Sequence, residues 1–236
     1  MMIDKSTVVF VSGANRGIGF ELTRQLSQQG SQVVAGYRDK DRSEKLLELS
    51  HSSTNIFPFN VDVTEESLLG ALNEFIDQKF GYLDIIFNNA AINFKRNAAL
   101  NDLEWSDISQ HLEVNVGGAF LTARYLYPLL KKGTRRIIVN ISSRLGSMEL
   151  CIPGSIPYSI SKATLNMLTR HQAMEYKKDG VTVISISPGW VRTDMGGHTA
   201  PLSVEESVSS MLKVVDDLSL TMTGQFLDVD GTPLPF

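Results

Sequence analysis

Tyr158 and Lys162 stand four positions apart in Tyr158-Ser159-Ile160-Ser161-Lys162. That spacing puts a phenol and an ammonium on one face of a helix. A free phenol titrates near pH ~10, too high for ready proton exchange at neutrality. A cation about 4 Å away stabilises the phenolate by roughly 4 kcal/mol at an effective dielectric of about 20. At about 1.4 kcal/mol per unit, the phenol pKa then falls by up to about 3 units. Reducing a carbonyl requires a hydride on carbon and a proton on oxygen, and a phenol tuned this way is a proton donor suited to that task. A hydroxyl is available beside it. Asn140-Ile141-Ser142-Ser143 ends an apolar run, and either serine can hydrogen-bond an oxygen on which charge develops.

A second set of residues suits phosphate. Val8-Val9-Phe10-Val11-Ser12 runs into Gly13-Ala14-Asn15-Arg16-Gly17-Ile18-Gly19. Glycines in a strand-to-helix turn permit positive φ and close backbone approach, and the helix that follows offers unpaired N–H groups to a pyrophosphate. The spacing G-x-x-x-G-x-G is neither a P-loop nor G-x-G-x-x-G. Dinucleotide folds that prefer NAD place an acid about 20 residues past the loop. Here Tyr37 and Arg38 occupy that place, with Asp39 and Asp41 only after them. Arg38, with Arg16 from the glycine loop, reads as a clamp for a ribose 2′-phosphate or as solvated surface charge. The expectation is NADP(H) in preference to NAD(H). Asp62, before Val63 and Thr64, reads either as an acceptor for an adenine amino group, with Thr64 capping the next helix, or as a turn aspartate itself. Asn88-Asn89-Ala90-Ala91 follows another apolar run, and its small residues would let the chain lie flat against a ribose or adenine.

These residues need elements that place them together. Short apolar runs at 7–12, 32–36, 56–61, 83–88, 136–142, 181–187 and 225–229 predict strands. The interior runs are apolar at consecutive positions, as strands covered on both faces are. Between them lie helical patterns: one through Ile18, Leu22 and Leu26, then 65–80, 106–127 ending before Pro128, 158–178 and 203–218. Repeated strand–helix alternation means right-handed crossovers. The expected fold is α/β: a single doubly wound, Rossmann-type domain over 1–236, with a seven-stranded, mainly parallel sheet and helices on both faces. Ligands of such sheets bind beyond the carboxyl ends of the strands, where all the residues above fall.

Composition narrows the function classes. The chain has 236 residues, 42% hydrophobic, with 22 basic against 26 acidic residues. The net charge of −4 argues against a nucleic-acid scaffold. One cysteine, Cys151, excludes an intramolecular disulfide and a cysteine metal cluster. His51, His111, His171 and His198 lack metal-ligand spacing, so no metal is expected and surface or helix-face roles are assigned to them. No apolar run approaches 18 residues, so no membrane span is expected. Asp4 falls where a signal peptide would carry only base, and the run Val8–Val11 is too short for a signal core, so the expected location is cytoplasmic.

Taken in order, the motifs resemble those of the short-chain dehydrogenase/reductase family over nearly the whole chain, with a weaker resemblance, from 188–197 and 224–228, to its C-factor-like carbonyl reductase branch. The resemblance matches the family's glycine loop to Gly13, Gly17 and Gly19, its adenine acid to Asp62, and its Asn-Asn-Ala-Gly to Asn88-Asn89-Ala90-Ala91. It implies a catalytic set of Asn115, Ser143 (with Ser142 as runner-up), Tyr158 and Lys162. Lys162 would also hold ribose hydroxyls, and Asn115 would hold a water linking the lysine to solvent. Pro188-Gly189-Trp190-Val191-Arg192-Thr193 matches the stretch whose Val191 backbone and Thr193 would hold the nicotinamide amide and phosphate. Two departures stand out: Ala91 replaces a glycine, and the interval from Ser143 to Tyr158 is slightly long. The implied activity is hydride transfer between a nicotinamide coenzyme and a small carbonyl or alcohol substrate. The implied assembly is a homodimer or homotetramer through 106–127 and 158–178.

Met148, Leu150, Ile152, Ile156, Phe94, Trp190 and Met195 either line an apolar substrate pocket or pack on the core or a partner chain. Residues 194–202 read as a small lid, and Asp216-Asp217 as a solvated helix end. A coenzyme-binding regulatory or signalling protein is the second functional reading, although a pure binder has no need of the phenol.

Overall fold

The computed structural model describes residues 3–236. Met1 and Met2, at the start of the expected domain, lie outside them. Seven strands form one sheet: β1 (Val8–Val11), β2 (Gln32–Tyr37), β3 (Ile56–Asn60), β4 (Ile85–Asn88), β5 (Ile137–Ile141), β6 (Thr182–Ile186) and β7 (Phe226–Leu227). Their order is β3-β2-β1-β4-β5-β6-β7. Every strand pairing is parallel. The sequence order reverses between β1 and β4, which opens a crevice at their carboxyl ends.

Strand side chains alternate between two apolar layers. Val9, Val11, Ile85, Phe87, Val139 and Ile184 pack with Leu22 and Leu26 of α1 (Gly17–Gln28) and with Met211, Leu212 and Val215 of α7 (Val204–Asp216). Val8, Phe10, Ile86, Ile138 and Val183 face the other way. They meet Leu69, Leu72 and Ile76 of α3 (Glu66–Lys79), Ala123, Leu126 and Leu130 of α5 (Gly118–Leu130), and Ala173 of α6 (Ile156–Tyr176). Helix α2 (Glu44–His51), absent from the sequence reading, covers the β3 edge and buries only Leu46.

The single helix expected over 106–127 is three pieces. Helix α4 (Trp105–Leu112) runs into a π turn at Glu113–Gly117, and α5 follows to Leu130. Pro128 lies inside α5, three positions before Lys131, which ends it. There it removes one backbone hydrogen bond in the last turn, while burial of Leu126, Leu129 and Leu130 continues the helix past it. Thr64 is not a helix cap. Glu65 takes that position without a side-chain bond, and Thr64 donates its N–H (3.0 Å) and hydroxyl (2.7 Å) to Asp62. Asp216 is not a freely solvated helix end either, because it pairs with the buried Arg135 at 3.0 Å.

The segment after β6 is tied down rather than slack. Trp190 Nε1 donates to the Gly196 carbonyl, Arg192 donates to the carbonyls of Ala200 and Pro201, and Leu202 N–H donates to the Trp190 carbonyl.

Candidate active site

The glycine turn after β1 is braced from β4. Asn89 Nδ2 donates to the carbonyls of Ser12 (2.9 Å) and Gly13 (3.2 Å), while Ser12 Oγ accepts from the backbone N–H groups of Asn89 and Ala90. The Asn89 amide therefore shapes the turn instead of facing outward. Gly17 opens α1 with φ +53° and leaves Thr193 Cγ2 only 3.4 Å from where a Cβ would sit. Ile18 and Gly19 follow it in the first turn. A Cβ on Gly19 would lie 2.2 Å from the Gly13 carbonyl oxygen and 2.5 Å from Asn89 Nδ2. The start of α1 has no side-chain cap and no acid in its first turn. Its free N–H groups, the glycine surface and Thr193 make a concavity suited to a pyrophosphate. Gly19→Ala is expected to lose about 1–3 kcal/mol of stability and more than tenfold in NADPH affinity, checked by a melt and by fluorescence titration.

The β2 end carries Tyr37, half-buried, and Arg38, whose guanidinium lies 3.6 Å from an Asp62 carboxylate oxygen. The other carboxylate oxygen of Asp62 accepts the Thr64 bonds, so the turn reading of Asp62 holds for half of its carboxylate. Arg16 does not join Arg38. It pairs with Asp194 across the crevice at 3.2 Å, both side chains being exposed. Asn15 donates to the Arg42 carbonyl. Val63 is buried and Val191 is 4% exposed, the Pro188 carbonyl accepts from Ser207 Oγ, and Ala90 and Ala91 are half-buried beside the glycine turn.

The phenol and the amine meet on α6. Tyr158 is 8% exposed and Lys162 is 2% exposed. Gly146 lets the loop after β5 lie on α6, where a Cβ would come 2.8 Å from the Lys162 carbonyl carbon. Asn166 holds that loop by accepting from Ser142 Oγ (2.7 Å) and donating to the Gly146 carbonyl (3.2 Å). Ser142 is thus engaged with Asn166. Ser143 acts on the Tyr158 phenol to lower its pKa, and its Oγ accepts from Leu145 N–H at 3.2 Å. Arg144, next along, forms an ion pair with Asp228 beyond β7.

The electrostatics differ from the expectation of an amine acidifying the phenol. Burial pushes Tyr158 up to about 12, opposed by the positive charge of Arg96 and the Ser143 hydrogen bond. Lys162 Nζ lies 5.4 Å from the phenol ring centre and donates to the Ile141 carbonyl at 2.6 Å. Burial lowers its own pKa to about 7.

Asn115 reaches the site from the π turn, a helix irregularity common at functional sites. Its Oδ1 accepts from Ile92 N–H (2.8 Å), and its Nδ2 donates to the Ile92 carbonyl (3.0 Å) and Ser161 Oγ (2.9 Å). Ser161 Oγ in turn donates to the Tyr158 carbonyl. Asn88, by contrast, is structural. It donates to Asn140, which donates to Thr169 and Gln172, and Thr169 meets Ser185.

Sequence reasoning missed Ser12, Asn166, Ser161 and Arg96. All four matter through tertiary contacts that no local pattern announces. His111, assigned a surface or helix-face role, is fully buried beside Phe94, its ring 4.3 Å from the phenyl ring. Of the apolar set, Leu150, Ile152 and Ile156 border two open depressions that meet at Cys151, while Met148 and Trp190 are largely exposed. Among the described residues no group of three His, Cys, Asp or Glu side chains suits a metal ion, and no helix is long and apolar enough to cross a membrane.

The family model described as short chain dehydrogenase matches residues 7–201. A crystal structure of NADPH-bound carbonyl reductase from chicken fatty liver superposes with a TM-score of 0.92 at 32% identity, covering 99% of this chain and all of that one. Carbonyl reductase Sniffer of Drosophila melanogaster gives 0.93 at 29% identity over both whole chains. The C-signal protein of Myxococcus xanthus is 34% identical over 157 residues, covering 66% of this chain and 94% of that protein. The chain belongs to the short-chain dehydrogenase/reductase family, on the branch shared by these carbonyl reductases and C-signal.

Proposed function

We propose that this oxidoreductase reduces a small carbonyl compound with NADPH, Tyr158 acting as the acid/base. The observation that carries the reading is the buried phenol, one helical turn from a buried Lys162 whose Nζ lies 5.4 Å from the ring centre. The bound coenzyme supplies the hydride. The residues that would hold it are Gly13, Asn15, Gly17, Ile18 and Gly19 at the phosphates, with Thr193. Tyr37, Arg38, Asp62 and Val63 would flank the adenosine. Asn89, Ala90 and Ala91 would support the ribose, and Pro188 and Val191 the amide. Arg16 adds positive charge to the phosphate cradle while it pairs with Asp194.

Ser143 and the phenol would together hold the substrate oxygen. The phenol gives that oxygen its proton as negative charge develops there. Lys162, half-charged near neutrality, restores the proton and holds ribose hydroxyls. Asn115 is a positioning residue, because it joins the β4 loop to α6 and thereby fixes where Tyr158 lies. The proposed setting is the cytoplasm. A second copy is proposed to pack on α5 and α6, where Phe120, Ile160, Met167 and Met174 are exposed.

NADPH oxidation with a panel of aldehydes, ketones and quinones tests the activity, and no turnover with any of them rejects it. Arg38→Asp is expected to weaken NADPH at least tenfold more than NADH, since a hydrogen bond to a charged group is worth about 1.5–3 kcal/mol. Equal loss for both coenzymes removes the phosphate assignment. The likeness to C-signal favours a second reading, a coenzyme-binding signalling protein. Stoichiometric NADPH binding without turnover would select it.

A further inference from the structure

We propose that Arg96 is a specificity residue that holds a carboxylate on the non-reacting part of the substrate, so that the preferred carbonyl compounds carry an acidic group. The inference deepens the reductase reading above and rests on it.

Residues 92–96 form a strap pinned at alternate positions. Asn115 bonds both the N–H and the carbonyl of Ile92, Phe94 N–H donates to His111 Nε2 at 3.3 Å, and the Arg96 carbonyl accepts from Ser155 N–H at 2.7 Å. Ser155 is the capping residue just before α6, three positions before Tyr158. The strap thus fixes the Arg96 backbone to the same helix turn that presents the phenol. Lys95 adopts a left-handed φ of +55°, a conformation a lysine takes only where its surroundings impose it.

The Arg96 side chain, in contrast, is exposed. Among the described residues it has no ion pair and no hydrogen bond. The other arginines of the loops that follow the strands are engaged: Arg16 with Asp194, Arg38 with Asp62, Arg144 with Asp228, and Arg192 with two carbonyls. Arg96 is therefore the uncompensated guanidinium near the phenol, and its field reaches the phenol oxygen. A substrate whose oxygen meets Tyr158 lies within that field as well. A planar guanidinium binds a carboxylate through two parallel hydrogen bonds, and Asn97, the residue after Arg96, borders the depression that Ile152 and Ile156 line with apolar surface.

The test compares 2-, 3- and 4-carboxybenzaldehyde with their methyl esters as substrates, using NADPH. For at least one isomer the acid is expected to exceed its ester about tenfold in kcat/KM, a size appropriate to a partly screened ion pair. Arg96→Gln is expected to remove that acid-to-ester ratio, Arg96→Lys to keep part of it, and Arg96→Glu to invert it. Calorimetric titration of the three acids with NADP⁺ present reads the same site without turnover, and the affinity of the favoured acid should fall about tenfold in Arg96→Gln. An unchanged ratio and unchanged affinity overturn the inference even if the esters are reduced well. No turnover of any aldehyde, with acid binding that depends on Arg96, overturns the reductase reading and supports the anion site.

Discussion

Tyr158→Phe is expected to lower kcat/KM for any reducible carbonyl by about a thousandfold while changing the NADPH dissociation constant less than about twofold. The substitution removes one oxygen and keeps the ring that fills the α6 surface. The lost atom is the one that would give the substrate its proton. Burial holds the phenol up to about 12, so across the neutral range it carries the proton that reduction requires. Alcohol oxidation needs the ionised form and should rise with pH where reduction does not. Paired rate profiles in the two directions, with NADPH fluorescence titrations of both proteins, check all of this. A variant that still turns over at more than a tenth of the wild-type rate removes the phenol from the chemistry.

Lys162→Met is expected to lose at least a hundredfold in turnover and to gain stability at low pH. The amine is 2% exposed, and burial lowers its pKa from 10.5 to about 7. Below pH 7 it is protonated in both folded and unfolded chains, and the full penalty of the buried charge is present. Between pH 7 and 10.5 the unfolded chain retains a proton that the folded chain releases. Wild-type stability therefore rises with pH, by at most about 1.4 kcal/mol per unit from this group. Methionine avoids the penalty but loses the bond to the Ile141 carbonyl, worth about 1 kcal/mol. The variant should melt roughly 10 °C higher at pH 6, at roughly 2–4 °C per kcal/mol for a domain of this size, with the gap closing toward pH 10. A difference that stays constant from pH 6 to pH 10 contradicts a depressed lysine.

The parts of the site that were readable in the sequence are those written in consecutive residues. Apolar runs such as Ile137-Ile138-Val139 announce strands covered on both faces, and a glycine-rich turn after β1 announces the phosphate cradle. Tyr158 and Lys162 share a helix, so their spacing alone places them together. What escaped depends on distant contacts. Local sequence offers Thr64 as a cap and so leaves Asp62 free, and only the fold gives Glu65 that place. Arg16 looked like a partner for Arg38 until the loop after β6 brought Asp194 to it. Arg96 lies in a stretch without periodicity, and its nearness to the phenol arises from a backbone bond to Ser155, 59 positions on. The amine is close to the phenol in space as well, 5.4 Å from its ring centre, but burial takes its own pKa down to about 7, so it lacks the fixed positive charge that the spacing alone implies.

The π turn at Glu113–Gly117 carries a consequence for how this chain tolerates changes in length. A π turn is a helix holding one residue more than its regular pitch accommodates. Deleting one residue there would let α4 and α5 fuse into an unbroken helix, better bonded than the original. The flanking side chains would keep nearly their present orientation, because five residues of π turn sweep about the same angle as four of α-helix, but the bulge that presents Asn115 would vanish and its amide would leave Ile92 and Ser161. Selection for thermal hardiness alone would favour such shortened chains, whereas selection for turnover would preserve the extra residue.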